Sequence, residues 1–526
     1  MADTDYVIVG SGINALVAAA LLSRRGNRVV VLERSDRLGG CMMTAEVTVP
    51  GFRHDVMAAT FVLFVLSPAY AELGPDLARH GLSFAHTDTP TGVVMPDGDA
   101  LVLRMDRAAN VAAFEALAPG DGTRFAADMD RLGADAPFLF ALLGGALWSW
   151  STARAVARET WRRGPRGLAA FFGEALETAR GWLEQGYRSE RFHALMAPWV
   201  LHCGLGPEAA YSGQMARVVA FALEAAGAPV AKGGAGAVPA AFASLIAANG
   251  GICRTGADVV EILLDGAGDA RGVRLADGGE ILAARGVICS VTPTQLYGRL
   301  LPPDSVPAGI AASVAGYRYG KGDMQIHYAL DAPPRWTTPG LESVALLHLT
   351  PGLDGVSKAA NEAERGMIPE VPTICVGQPS ALDPSRCPPG KAVLWVQLPE
   401  VPRHVKGDAA GAFAIPADGR WTEALREAYA DRVEAILARH IENFAAIRLA
   451  RRVYSPADLE ALNVNLVGGD PYGGYCGLDQ FFLWRPFKGS RNHSTHVGRL
   501  YHIGASTHPG PGLSGGSGYL LAKSLG

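Results

Sequence analysis

Tyr6-Val7-Ile8-Val9-Gly10-Ser11-Gly12-Ile13-Asn14-Ala15 is the stretch that decides the fold. A short β-branched run feeds a glycine turn, and an alanine- and leucine-rich stretch follows as far as Arg24-Arg25-Gly26, which reads as strand, tight turn and helix. Gly10 permits the turn, Gly12 lets backbone N–H groups approach a pyrophosphate at the helix N-terminus, and the small Ala15 lets the helix lie close on the strand. A second apolar run, residues 28–32, ends in Glu33, about twenty residues past the glycines, where a carboxylate accepts hydrogen bonds from ribose hydroxyls. G-x-G-x-x-A alone is a weak signal. Flanked by strand, helix and acid at the expected spacing, it predicts a dinucleotide site that includes Ser11, Asn14 and Arg34.

Arg37-Leu38-Gly39-Gly40 comes next, with Thr44 beyond it. A glycine pair directly after the second strand lets more backbone crowd the phosphates, and here the chain resembles flavoprotein oxidoreductases in which that pair marks FAD rather than NAD. Pro50-Gly51-Phe52-Arg53-His54-Asp55 resembles the Pro-Gly-Phe-x-x-Asp segment of the phytoene-dehydrogenase-like branch of FAD oxidoreductases. That branch includes carotenoid desaturases, retinol saturases and the pyridine-nucleotide-disulphide-oxidoreductase-domain-2 type. The resemblance implies that the segment returns the chain toward the flavin ring and puts His54 near the chemistry; a histidine satisfying local backbone groups is the other reading.

At the far end, residues 500–503 form a predicted strand that runs into Gly504-Ala505-Ser506-Thr507-His508-Pro509-Gly510-Pro511-Gly512-Leu513-Ser514-Gly515-Gly516 and a short helix. Glycines at a helix start again set backbone donors against an anion. The block resembles the family's closing motif, Leu-Tyr-x-x-Gly-Ala-x-Thr-His-Pro-Gly, which implies that Gly504, Ala505, Gly512, Leu513 and Ser514 meet the ribityl, phosphate and N1–O2 edge of FAD. The resemblance also implies that backbone at Val259 or Val260 passes the adenine. With specific motifs at both ends, it covers nearly the full length.

Composition bounds the rest. A chain of 526 residues, 49% hydrophobic, can bury a large core and is expected to hold two interleaved domains. The expected division is a discontinuous Rossmann-type FAD-binding domain (1–60, 230–300 and 495–526) and a helical and sheet-containing substrate domain (61–229 and 301–494), a mixed α/β (α+β) architecture. Net charge is −4 with no basic stripe, so nucleic-acid binding is not expected. Seven scattered cysteines without C-x-x-C argue for reduced thiols and against a structural zinc site; no metal is expected. Residues 1–5 lack a basic n-region, so no secretory signal is expected and the protein is read as cytoplasmic. Two apolar runs, 56–66 and 136–150, read as buried helix or cavity wall, with peripheral contact at the inner membrane face as the alternative.

Between the motifs, three- and four-residue apolar spacing predicts helices at 110–117, 124–132, 154–161, 168–182, 191–200 and 214–226. Their aromatics, Phe138, Phe140, Trp148, Trp150, Trp161, Phe171, Phe172 and Trp182 among them, suit either an apolar substrate tunnel or a helical core. Lys232-Gly233-Gly234-Ala235-Gly236 opens a helix at 239–248; no clear strand precedes these glycines, so a helix start packed beside the flavin is expected rather than a second nucleotide site. A meander follows at 258–265, 271–276 and 280–284, and then a strand at 286–290. Strands at 324–330, 343–349, 373–376 and 392–398 floor the cavity, a helix spans 421–440, and residues 358–365 and 406–420 read as surface loops.

A helix N-terminus aimed at a flavin favours removal of hydride from a C–H bond. His54, Tyr475, Gln480, Arg485 and His508, with Tyr472, are the polar candidates for the cavity. The expected reaction is desaturation of an apolar, isoprenoid-like or alicyclic small molecule, with oxygen or a quinone as electron acceptor. Cys41-Met42-Met43 and Leu513-Ser514-Gly515-Gly516 depart from the carotenoid desaturases and weigh against a carotenoid itself. The alternatives are saturation or isomerisation, amine oxidase-like C–N oxidation, and flavin holding without turnover at a membrane surface. A homo-oligomer is compatible with all of them.

Overall fold

In the computed structural model, which describes residues 4–526, the opening motif forms the predicted β–α–β unit. Strand β1 (Thr4–Val9), helix α1 (Ile13–Arg24) and strand β2 (Val29–Leu32) are followed by a two-strand ribbon of β3 (Thr44–Ala45) and β4 (His54–Asp55). Residues 1–3, which the sequence reading placed in the nucleotide domain and the absent signal segment, lie outside the described residues.

Strands β5 (Thr91–Val94) and β6 (Ala100–Leu103) lead into a helical region. It contains α2 (Arg107–Leu117), α3 (Asp121–Gly144), α4 (Trp150–Ala175), α5 (Ala179–Gly186), α6 (Glu190–Met196), a 3₁₀ turn Ala197–Cys203 and α7 (Ser212–Ala226). The predicted helix at 168–182 is divided, because Thr178 caps a new start by accepting from the Gly181 amide. Neither apolar run is one buried helix: 136–150 crosses the end of α3, a turn and the first residue of α4, while 56–66 ends in a single helical turn, Val62–Val65.

The chain then returns through α8 (Ala237–Ala248), β7 (Ile252–Arg254), β8 (Val259–Leu264), β9 (Ala270–Leu275) and β10 (Glu280–Ser290). The predicted strands at 280–284 and 286–290 are one long strand. Its first half pairs antiparallel with β9 and its second half parallel with β1. The second sheet uses β11 (Gly322–Leu330), β12 (Leu346–Leu349), β13 (Ile374–Gly377), β14 (Ala392–Val401) and β15 (Arg448–Tyr454), with α9 (Leu353–Glu364) and α10 (Glu423–His440) beside it. The predicted loop at 358–365 is a misreading: most of it is the C-terminal half of α9, which buries Leu353, Val356, Ala359, Ala360 and Ala363 at helical spacing. Finally, β16 (Leu500–Ile503) and α11 (Gly516–Ser524) close the chain.

Two seven-stranded sheets result. In the first, β16, β10, β1, β2 and β7 run parallel, so only β10 separates the last strand from the first. The order of the second is β15-β11-β14-β13-β12-β5-β6. Its outer face carries Ile326, Tyr328, Val376 and Val396 against Tyr429, Val433 and Leu437 of α10. Burying such a layer contributes about 1.5–3 kcal/mol per large apolar side chain.

Candidate functional site

The cradle is built around Glu33. Its Oε2 accepts from the Ser11 amide (3.1 Å) and hydroxyl (2.6 Å), and its Oε1 from the Ser35 amide (3.0 Å) and hydroxyl (2.9 Å). Ser11 Oγ in turn accepts from the Gly39 amide at 2.9 Å, so one buried carboxylate sets both glycine turns. The carboxylate expected to reach ribose is thus also the organiser of the loop. Ala257 N–H donates to the Glu33 carbonyl at 2.8 Å, which brings the start of β8 at Val259 and Val260 alongside. Arg34 points into solvent.

Close approach explains the glycines. Gly10 has φ +90°, and a Cβ there would sit 3.0 Å from the Ser290 carbonyl oxygen; one on Gly40 would lie 3.4 Å from Gly12 Cα. Helix α1 starts on Gly12 with no side-chain cap, which leaves its first amides to an external acceptor, whereas α2, α4 and α5 are capped by Asp106, Ser149 and Thr178. Thr44 donates to Asp55 (2.6 Å) and accepts from the Gly236 amide (3.0 Å), seating the start of α8 beside the second glycine pair.

The chain's two ends join here. Asn14 Oδ1 accepts from the amides of Ser517 (3.1 Å) and Gly518 (3.4 Å), and Ser517 Oγ accepts from the Gly504 amide (2.9 Å). The loop holding Gly504, Ala505, Gly512, Leu513 and Ser514 is thereby fixed over the N-terminus of α1. These residues fit a dinucleotide: bare amides, two glycine turns in contact, and a carboxylate-braced loop.

From the second glycine pair, segment 41–57 leads onto the inner face of the second sheet, which carries a polar row. Direct cross-strand partners make one row, Tyr454, Gln325, Gln397, Cys375, His348 and Val93, across six strands. Asp323 joins it, its Oδ2 accepting from Gln397 (2.7 Å) and Gln325 (3.1 Å). Asp323 Oδ1, Gln325 Oε1 and His348 Nδ1 are buried without a partner, which is where a bound molecule or water belongs. Burial raises the Asp323 carboxyl to about 7, although the two glutamine bonds oppose it. His202 Nε2 lies 2.9 Å from His348 Nε2, and with Cys375 these residues bring ligand atoms within 4.8 Å of one another, a set able to hold a metal ion. Burial lowers His202 to about 4 and His348 well below its usual value, so both stay neutral. Segment 41–57 covers this face: the His54 and His327 rings lie 5.4 Å apart, and Trp395 Nε1 donates to the Met57 carbonyl at 3.2 Å.

The predicted polar candidates mostly hold backbone. His54 is buried on Thr48 Oγ1 (2.7 Å) with its basicity lowered to about 4 by burial. Gln480 brackets Arg318, accepting from its amide (2.9 Å) and donating to its carbonyl (2.7 Å). Arg485 donates to the carbonyls of Ala505, Tyr475 and Tyr472, His508 meets the Gly145 carbonyl at 2.8 Å, and the Tyr472 hydroxyl donates to the Leu201 carbonyl. Tyr475 lies under the Arg318 guanidinium in a surface groove of about 420 Å³. The tunnel reading of the aromatics fails: Phe138, Phe171 and Trp182 are packed in helical cores, and Phe140, Trp148, Trp150, Trp161 and Phe172 are on the surface. The sequence reading missed Asp323, Gln325, Gln397, His348 and His202. Its available signal was the alternation Asp323-Met324-Gln325-Ile326-His327-Tyr328, a strand polar on one face.

Residues 8–73 match a family model described as an NAD(P)-binding Rossmann-like domain. The chain is similar to pyridine nucleotide-disulfide oxidoreductase domain-containing protein 2 of Mus musculus, 28% identical over 98% of this chain and 92% of that one. It is 24% identical to one of the limonene dehydrogenase polypeptides of Castellaniella defragrans (99% and 94% covered) and 25% to a neurosporene-forming phytoene desaturase of Rhodobacter capsulatus (99% and 93%). A solved putrescine oxidase variant shares the fold, with TM-score 0.60, 17% identity and 99% and 98% of the two chains covered. The resemblance read from the terminal motifs thus extends across the whole chain, and it is to oxidoreductases.

Proposed function

We propose that this oxidoreductase holds FAD and removes hydride from a C–H bond of an apolar, isoprenoid-like or alicyclic substrate, forming a C=C bond. The reading is carried by the junction of the two glycine blocks through Asn14, which makes them one continuous cradle. Relatives named for limonene and phytoene support the substrate class. FAD, when bound, supplies the ring that accepts the hydride. The chain's part is positional. The α1 amides would hold the phosphates, Gly39 and Gly40 would admit backbone close to them, and the loop at 504–514 would hold the ribityl and flavin end. Desaturation also releases a proton, and Asp323 Oδ1, unpartnered and titrating near neutrality, is the atom suited to hold it.

The polar row favours one second reading, oxidation at a carbon beside an amine or another hydrogen-bonding group. Oxygen or a quinone is the electron acceptor in either case. The purified protein is expected to show a flavin spectrum that bleaches anaerobically with isoprenoids; bleaching by amines alone would establish the second reading. Absence of flavin after loading with FAD would overturn both.

A further inference from the structure

The outer surface of α4 has no partner in the chain. Trp150 is 84% exposed and Trp161 92%, while Trp148, Phe140, Phe172, Leu176 and Trp484 are exposed around them. Four of the nine tryptophans therefore stand in water, at an expense that folding alone does not explain. The helix is anchored from beneath, where Phe171 packs with Phe138 and Leu142 of α3 and with Phe482.

Charge says what covers this surface. Arg154, Arg158 and Arg162 recur every fourth residue, in a row beside the one carrying Trp150, Ala157 and Trp161; Arg166 follows a break in the helix at Gly164 (φ 72°, ψ 161°), and all four arginines are exposed. Glu159 is the single acid between residues 150 and 173, and Arg162 and Arg163 pair with it. Among the described residues, Arg154, Arg158 and Arg166 make no ion pair. This basic row beside exposed indoles, a local stripe that the sequence reading did not find, matches the phosphates of a lipid headgroup layer. Among the described residues no helix is long and apolar enough to cross a membrane.

We propose that this face docks on an anionic lipid bilayer, with Trp148, Trp150, Trp161 and Trp484 in the headgroup layer and Arg154, Arg158 and Arg166 on lipid phosphates. The cradle stands directly behind it: His508 of the C-terminal loop bonds Gly145 in the α3–α4 turn at 2.8 Å, and the Asn492 side chain brackets Trp148 by accepting from its amide (3.2 Å) and donating to its carbonyl (3.0 Å). A substrate dissolved in lipid would enter from this side; that route rests on the proposed function, whereas the docking does not.

Co-sedimentation of the full-length protein with phosphatidylcholine vesicles, with and without phosphatidylglycerol, tests docking without reference to activity. The wild type is expected to pellet with the anionic vesicles at low salt, with a blue shift of tryptophan emission, and to stay in solution with phosphatidylcholine alone. Partitioning of R154Q/R158Q/R166Q should fall about a hundredfold, and W150S/W161S should lose binding with an unchanged thermal melt. Wild-type protein left in the supernatant, or W150S/W161S pelleting like wild type, would overturn the proposal. So would a dimer in analytical ultracentrifugation that W150S/W161S dissolves while vesicle binding persists, because a second copy would then cover the face.

Discussion

Asp323 is a side chain whose chemistry depends on where folding puts it. In an exposed strand it would be an ordinary carboxylate; between Gln325 and Gln397 on a buried sheet face it titrates at about 7. The sign of the pH effect follows. Below about 4 the folded and unfolded chains both hold this proton; above that the unfolded chain has released it, so stability falls as pH rises through about 7 and the fold must carry a buried charge. Glu400, raised to about 8 by burial, acts in the same direction. Melting curves from pH 5 to 8 should therefore fall more steeply for the wild type than for Asp323→Asn, with the variant gaining most at pH 8. Parallel curves would show that this carboxyl does not titrate in the window. The alternation of residues 323–328 made its strand legible, but which face lies under segment 41–57 and which under α10 was not, because a period of two defines two faces and does not say what covers each.

At the scale of elements, the pairing of α1 with α11 gathers both glycine blocks. A Cβ on Gly518 would sit 1.8 Å from the Asn14 carbonyl oxygen, so the helices touch backbone to backbone. Gly518→Ala should cost about 1–3 kcal/mol, or more if the helices cannot part, and release bound flavin, read as a lower melting temperature and a reduced visible absorbance per protein; full flavin content would show that this contact does not support the cradle. The opening β–α–β unit was plain in sequence because its strand, turn and helix are contiguous. Helix α9 was not legible because Asp354, Lys358, Glu362 and Glu364 alternate with its buried Leu353, Val356, Ala360 and Ala363, and alanines make a weak apolar stripe.

Across the molecule, Arg386 ties the parts together. Its guanidinium is fully buried, paired with Asp383 (2.8 Å) and Asp55 (2.9 Å), and donates to the Ala231 carbonyl (3.1 Å). Asp55 also accepts from Thr44 (2.6 Å) and the Ala235 amide (2.7 Å), and Asp383 from the Gly233 amide (2.7 Å). Three distant segments, 44–55, 231–235 and 383–386, are thus held by one cation. Arg386→Met would leave two buried acids without their counter-ion, at about 3–5 kcal/mol, and should lower the melting temperature sharply, with loss more severe at pH 8 than at pH 5, where the acids can take up protons. A variant as stable as wild type at both pH values would refute this role.

Much of what local spacing encodes was readable from the chain alone: the nucleotide-binding turn, its acid, the second glycine pair, the closing glycine block and most of the strands and helices between. Each is a pattern in consecutive residues, since turns, caps and amphipathic faces are set by neighbours. Folding in three dimensions was needed to establish that Asn14 meets Ser517, that Glu33 braces both glycine turns, and that Gln325, Gln397, Cys375 and His348 share one row. It also separated the aromatics that are core from those that face solvent. Those facts depend on strand register and helix docking across hundreds of residues, where contact is fixed by packing and by pairing of buried polar groups rather than by order along the chain.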